Sequence, residues 1–299
     1  MPQTLKHSLI IFAAGVVYGL MIPLARAAFT GGFTVAQIAV AQYLAAALLM
    51  GVVVVIASRR RIPLRTVAQL LGVGVLASGV SIFYYRALEL LPSATAVTLL
   101  FQFVWMGVVV QALREHALPR IWTLLSVVVI MTGTIFATGL VETGLAALAL
   151  NPLGIVFGLL SAAFYTAFLV ASAQVATNLP ATNRSFINSI GSLLVAALLC
   201  PSFFASDTII NIGWIGLALG LAVVIPVFLI AHSAPHLPSG LVTIMAASEL
   251  PSGILCAALF AGDIISPSTV VGVVIVVLGI ALSESDTLFA LLKQKKASS

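Results

Sequence analysis

LPSATAVTLLFQFVWMG (residues 91–107) and LPSGLVTIMAASELPSG (residues 237–253) are apolar stretches that open on Leu-Pro-Ser and close on Gly. They lie 146 residues apart, close to half of the 299-residue chain. Leu91-Pro92-Ser93 thus matches Leu237-Pro238-Ser239, and Gly107 matches Gly253. The same offset relates Gly133 to Gly279, and Tyr18 matches Tyr165 at 147. Each match alone is weak, because Gly and Leu are common. Four at nearly one offset predict an internal repeat, with units 1–146 and 147–299.

The chain around these stretches is 62% hydrophobic and 7% charged. Soluble domains carry about 25% charged residues. About 20 apolar residues span a bilayer core, and such runs recur throughout. They predict an all-α integral membrane protein rather than a barrel of alternating strands. Ten spans can be drawn, near 8–29, 35–57, 66–88, 92–112, 122–140, 152–173, 185–204, 212–231, 238–260 and 267–284. Pro92, Pro152, Pro238 and Pro267 open four of them, as proline suits a first helical turn. The first run, Ser8 to Leu24, is long for a cleaved leader and reads as an uncleaved span.

The net charge of +5 raises nucleic-acid binding. The basic residues flank apolar runs instead, and so read as topology signals. With the N-terminus inside, eleven of the thirteen Lys and Arg fall inside: Lys6, Arg59, Arg60, Arg61, Arg65, Arg114, Arg120, Arg184, Lys293, Lys295 and Lys296. Arg26 and Arg86 fall outside, with Glu89, Glu142, Asp207 and Asp263. Both termini are therefore expected inside. Each repeat holds five spans, an odd number, so the second copy enters the membrane inverted. Inverted repeats let a central site open alternately to either side, which points to transport.

These features resemble the drug/metabolite transporter superfamily, in its ten-helix, two-repeat EamA-type branch. The resemblance covers nearly the whole chain. It rests on AAGVVYGLMIPLAR (13–26), AVAQYLAAALLM (39–50), residues 87–119 and residues 233–263. The family's Leu-Pro-small turns lead into its fourth and ninth helices, each followed by an acid, here Glu115 and Asp263. Tyr18-Gly19 replaces a frequent Trp-Gly, and Gln42 stands near a frequent Arg. Glu249-Leu250-Pro251 replaces a frequent Glu-Pro, shifting the acid by one residue. The central aromatic and polar residues are most similar to the aromatic amino-acid exporters. The resemblance implies a cavity lined by helices 1, 3, 4, 6, 8 and 9.

Several residues are candidates for that cavity. Thr95, Thr98, Gln102 and Trp105 share an arc of about 80° on the fourth span. Such a stripe faces protein or water rather than lipid, and helix–helix hydrogen bonding is the competing use. Trp105, near mid-span, suits either stacking on a flat ligand or core packing. On the ninth span Ser248, Glu249, Ser252 and Cys256 share an arc of about 100°. The 146 offset pairs Ser248 with Gln102, Glu249 with Phe103 and Pro251 with Trp105. Pro251 withdraws a backbone donor from the Ala247 carbonyl, which a protonated Glu249, a serine or a substrate ammonium would satisfy. A charge at mid-bilayer costs roughly 2.5–3.5 kcal/mol. Glu249 is thus expected to be neutral unless water fills the cavity. Its role is open between substrate or proton contact and a structural hydrogen bond, and Ser248 and Pro251 are the stronger candidates for substrate contact.

Ser78, Phe83 and Tyr84 on the third span join the candidates, with the interfacial aromatic belt competing for the Tyr84–Tyr85 pair. Tyr18 and Tyr165 are deeper and repeat-related. Pro226, Gly240 and Pro251 are hinge candidates. Cys200 and Cys256 read as small buried hydrophobes. The four histidines map to helix ends or the inner side, unlike those of an intramembrane protease, and no phosphate-binding loop occurs.

The expected function is a secondary transporter exporting neutral or aromatic amino acids and related metabolites. It is expected to be a non-enzymatic, monomeric protein of a bacterial inner membrane, in contact with lipid and a small-molecule substrate. No cofactor, metal or nucleic acid is expected. Two alternatives stand: a proton-coupled exporter of cationic drugs using Glu249, and a lipid-handling or scaffold protein with a sealed core.

Overall fold

Proline and polar caps punctuate the apolar runs and set where each helix begins. A computed structural model describes residues 3–57, 62–143, 151–205 and 208–284. Arg59, Arg60, Arg61, Asp207, Lys293, Lys295 and Lys296, used above for orientation, lie outside these. The described residues are helical, with no strand among them. In chain order the helices are α1 (Gln3–Tyr18), α2 (Met21–Thr30), α3 (Val35–Ala57), α4 (Leu64–Leu90), α5 (Ser93–Leu100), α6 (Phe103–Glu115) and α7 (Ile121–Ala137). There follow α8 (Leu140–Thr143), α9 (Pro152–Gln174), α10 (Ala181–Leu199), α11 (Thr208–Ser233), α12 (Ser239–Ala246), α13 (Glu249–Ala261) and α14 (Pro267–Ser283).

Pro92 and Pro238 precede α5 and α12 in the same extended conformation, with ψ of 142° and 141°. Pro152 and Pro267 occupy first turns, where Asn151 caps the Leu153 N–H at 3.0 Å and Ser266 caps that of Thr269 at 3.2 Å.

Seven helices or helix pairs are long and apolar enough to cross a membrane. They include α1 with α2, α5 with α6, and α12 with α13. The apolar α7 and α14 are shorter. The amphiphilic α10 carries Asn183, Arg184 and Asn188 on its first turns. Each of the ten sequence runs overlaps one of these helices or pairs, seven of which are long and apolar enough to cross a membrane. Large apolar side chains cover the outside, with Ile56 and Leu198 both 80% exposed. Such a surface suits lipid and not water. The chain is an α-helical membrane protein.

Among the described residues three spans are broken into two helices, and a fourth, α11, kinks near its start. Between α5 and α6 the amides of Gln102 and Val104 bond three residues back, to Leu99 (3.2 Å) and Phe101 (3.2 Å). Between α12 and α13 those of Ser248 and Leu250 do the same, to Met245 (3.2 Å) and Ala247 (3.2 Å). Such a tight turn within a span often marks a hinge. Trp105 stands where α13 has Pro251, so proline does not cause the break. Pro251 sits in the first turn of α13, and the Leu250 N–H takes the Ala247 carbonyl that a protonated Glu249, a serine or a substrate ammonium was expected to satisfy. The third break lies at Gly19–Leu20, with Pro23 in the first turn of α2.

The hinge expectations change accordingly. Within α11 the backbone departs from helix at Gly213 (φ 39°), not at Pro226. Gly240 is a packing contact whose N–H donates to Gln111 Oε1 at 2.9 Å. Pro251 follows a break without forming it.

Elements recur at the sequence offset. Each of α5, α6 and α7 matches α12, α13 and α14 at both ends after 146 residues. Even the left-handed residues His116 and Gly262, which close α6 and α13, obey it. Packing follows suit. α4 packs along α9 and α10, and α11 along α1 and α3. α6 packs along α12, a contact that α13 and α5 do not repeat, α3 along α10, and α7 along α14. Small residues permit the last contact: Ser126 donates to the Gly279 carbonyl at 2.6 Å, and a Cβ on Gly133 would lie 2.8 Å from the Val276 amide.

Candidate functional site: a tyrosine-walled cavity at the broken helices

A cavity of about 380 Å³ lies between the broken spans. Tyr18 at the end of α1, Tyr84 on α4, Tyr165 on α9 and Glu249 at the start of α13 share its wall. Sequence reasoning named these four, and folding brings them together. Glu249 accepts a hydrogen bond from the Tyr165 hydroxyl at 2.9 Å. It is also the first residue of its half-helix, where the helix dipole favours an acid. The Tyr165 ring packs on Phe103 (4.5 Å) and Phe168 (6.4 Å), which hold the phenol in place.

One end of the cavity reaches Arg26, Phe29 and Leu88. Arg26 pairs there with Asp263, both partly exposed. The lining includes nothing from the opposite end, where His7 stacks on His236 at 4.1 Å and bonds Ser233 at 3.2 Å. Buried Arg184 ties that end together by donating to the carbonyls of Ala231 (2.6 Å) and Ser172.

The other expected site residues are not on this wall, and each has a packing role instead. Ser78 is fully buried and donates to the Ser192 carbonyl at 2.8 Å, joining α4 to α10. Phe83 packs on Phe157 and Phe164 of α9 at 6.0 and 5.1 Å. Thr98 bonds the Ala94 carbonyl (2.8 Å) and Thr138 (3.0 Å). Gln102 donates to the Thr98 carbonyl (2.9 Å) and accepts from the Trp105 indole (2.8 Å). Trp105 is 39% exposed and lines an apolar outer groove with Val109 and Leu124. Bonds within the span and to Thr138 thus occupy Thr98, Gln102 and Trp105, while the buried Thr95 hydroxyl has no partner among the described residues. Phe103 lies behind the wall, supporting Tyr165.

Ser248 requires a similar correction. Its hydroxyl donates to the Phe12 carbonyl at 2.8 Å, and Ser252 donates to that of Val16 at 2.6 Å. Both serines are occupied in docking α13 onto α1, and Pro251 lies outside the lining. Glu249, one residue on, is the group that reaches the cavity.

Gln42 and Tyr43 of α3, and Asn188, Ser189 and Ser192 of α10, also line it. The second and seventh spans therefore join the six that the family resemblance implied. A signal was available: the 146 offset pairs Gln42 with Asn188 and Tyr43 with Ser189.

No protein-family model matches the chain, and no curated protein matches it. Solved structures do. One, described only as the crystal structure of a protein, is 18% identical with a TM-score of 0.73 over 93% of this chain and 98% of its own. At that identity the likeness shows the fold alone.

Proposed function

We propose that this protein is a secondary transporter that exports neutral or aromatic amino acids and related small metabolites by alternating access. The observation that carries the reading is the cavity itself. It is walled by tyrosines and one acid, lies where three broken spans meet, and extends to one end of the bundle only. Binding at such broken helices is how transporters with inverted repeats hold substrate.

Ten spans in two inverted repeats, 1–146 and 147–299, support that mechanism. Exchanging the halves maps α4–α9 onto α11–α1 and α4–α10 onto α11–α3, while α3–α10 and α7–α14 map onto themselves. A pseudo-twofold axis produces that pattern. In the orientation with both termini inside a bacterial inner membrane, Arg26 and Asp263 meet at the outer face. The cavity then opens outward, and rocking of the half-helices opens it inward. A drug/metabolite transporter has this arrangement, and a tyrosine-rich wall suits flat, uncharged side chains.

The test is flux in proteoliposomes with a panel containing phenylalanine and methionine, with and without a proton gradient. Flux of an aromatic or neutral amino acid is expected, and no flux with any amino acid refutes the substrate assignment. One observation favours a second reading, proton-coupled export of cationic drugs. Glu249 lies on the cavity wall with the Tyr165 hydroxyl as its hydrogen-bond partner. That reading requires drug flux that follows the pH gradient and stops in Glu249→Gln.

A further inference from the structure

At the closed end of the cavity, α9 packs on α11 and on the short 3-10 turn Ala234–His236 that follows α11. The 146 offset makes α9 equivalent to the α1–α2 span, and α11 with its turn equivalent to α4. Yet α4 has no comparable packing on α1 or α2 among the described residues. There the cavity runs out past Arg26 and Leu88, and Phe29 of α2 meets Tyr85 of α4 with ring centroids 6.4 Å apart. The same contact is thus made at one end and missing at the other. That difference identifies the contact which alternating access has to break. The histidine stack is not part of it. His7 and His236 correspond to Leu153 and Leu90, and α9 stays packed on α4 at the open end. A Cβ on Gly154 would lie 3.0 Å from that of Leu90.

A buried cation joins α9 to α11. Arg184, near the start of α10, is 4% exposed. Its guanidinium donates to the Ala231 carbonyl of α11 at 2.6 Å and to the Ser172 carbonyl of α9. Both carbonyls lie in last helical turns, where no helical N–H serves them. Four residues beyond Ala231 stands Pro235, which has no N–H. Four beyond Ser172 stands Ala176, past the end of α9 and left-handed (φ 53°). Two helix C-terminal ends, each the negative end of a dipole, therefore share one guanidinium. Among the described residues no carboxylate pairs with it, and its Nε has no acceptor. Burying a charge in this way costs hydration. Opening that end to water breaks the two bonds and restores the hydration, so the tie is reversible. At the other end the equivalent residue is Ile38, fully buried and without a donor.

We propose that Arg184 is the latch of the inner gate. It ties α9 to α11 through two helix-end carbonyls, makes the outward-open state the resting state, and lets go when the inner end opens. The proposal rests on the transport reading above and on its orientation. It assigns the asymmetry between the two ends to one side chain that the repeat does not duplicate.

The test is sided labelling of the full chain in membrane vesicles. Cys200 and Cys256 are replaced by Ala, and Val97→Cys places one thiol on the cavity wall. The probe is a membrane-impermeant methanethiosulfonate, applied to right-side-out and to inside-out vesicles. With Arg184 present, reaction from the outside is expected to be at least about tenfold faster than from the inside. Arg184→Met keeps the stem, removes the donors and raises the inside rate by about tenfold. Arg184→Lys keeps the charge without the fork that reaches two acceptors, and gives an intermediate rate. Pro235→Ala keeps Arg184 but offers the Ala231 carbonyl a backbone donor of its own. It raises the inside rate in the same direction, and decides the matter if the methionine variant does not fold. Equal or inside-favoured labelling with Arg184 present overturns the proposal. So does an unchanged preference in every variant that folds. Amino-acid flux with labelling that ignores Arg184 sinks this inference and leaves the transport reading intact. Labelling from one side only in all variants, with no flux, sinks the reading beneath it as well.

Discussion

Tyr165→Phe isolates one contact of the cavity. The Tyr165 hydroxyl donates to Glu249 Oε2 at 2.9 Å, within the ordinary range for such bonds. The ring stays between Phe103 and Phe168, so the substitution removes one oxygen and little packing. A buried acceptor left unpaired costs about 1–3 kcal/mol, while side-chain bonds inside membranes average about 0.6 kcal/mol. Glu249 keeps the N-terminal end of α13 beside it, which softens the loss. A destabilisation of about 1 kcal/mol follows. The assay is equilibrium unfolding in mixed micelles, run in wild type and in Glu249→Leu, where the acceptor is gone. There Tyr165→Phe should cost less than about 0.3 kcal/mol, the scatter of independent sites. Equal losses in both backgrounds would show that the hydroxyl does not act through Glu249.

Three further outcomes are expected. Ser248→Ala should cost about 0.6 kcal/mol through its lost bond to Phe12, and both it and Trp105→Phe should leave flux within about twofold of wild type; a tenfold fall would return either residue to the substrate path. Gly74→Val should destabilise by about 1–3 kcal/mol, because its Cβ would lie 2.7 Å from the Ser192 amide; unchanged unfolding would contradict the α4–α10 contact. Glu142, outside the spans, accepts from Ser268, which with Ser266 nearby holds its carboxyl below the ordinary 4.5. A lowered folded value contributes stability that is present above the unfolded value and lost as pH falls through the folded one. Ser268→Ala should therefore raise the titration of Glu142 in carbon NMR, and an unmoved titration refutes the contact.

Helix positions were legible in the sequence because a bilayer demands long apolar runs and because proline marks helix starts. The 146-residue offset was legible too. An offset drawn from a few shared residues recurs in the ends of six helices. The break in the fourth span was not. Neither proline nor glycine occupies the turn at Phe101 and Gln102, so nothing local distinguishes that turn from continuous helix.

Within the site, sequence alone determined which side chains are polar or aromatic at mid-span, and by the repeat which of them correspond. Tyr18, Tyr84, Tyr165 and Glu249 could be named on that basis. Only the tertiary structure decided which face of each helix meets the cavity. Helical periodicity groups residues on an arc but does not orient it, and in a membrane both lipid and neighbouring helices can receive that arc. Ser248 and Glu249 are adjacent, yet a turn of about 100° sends one to the Phe12 carbonyl and the other to the cavity.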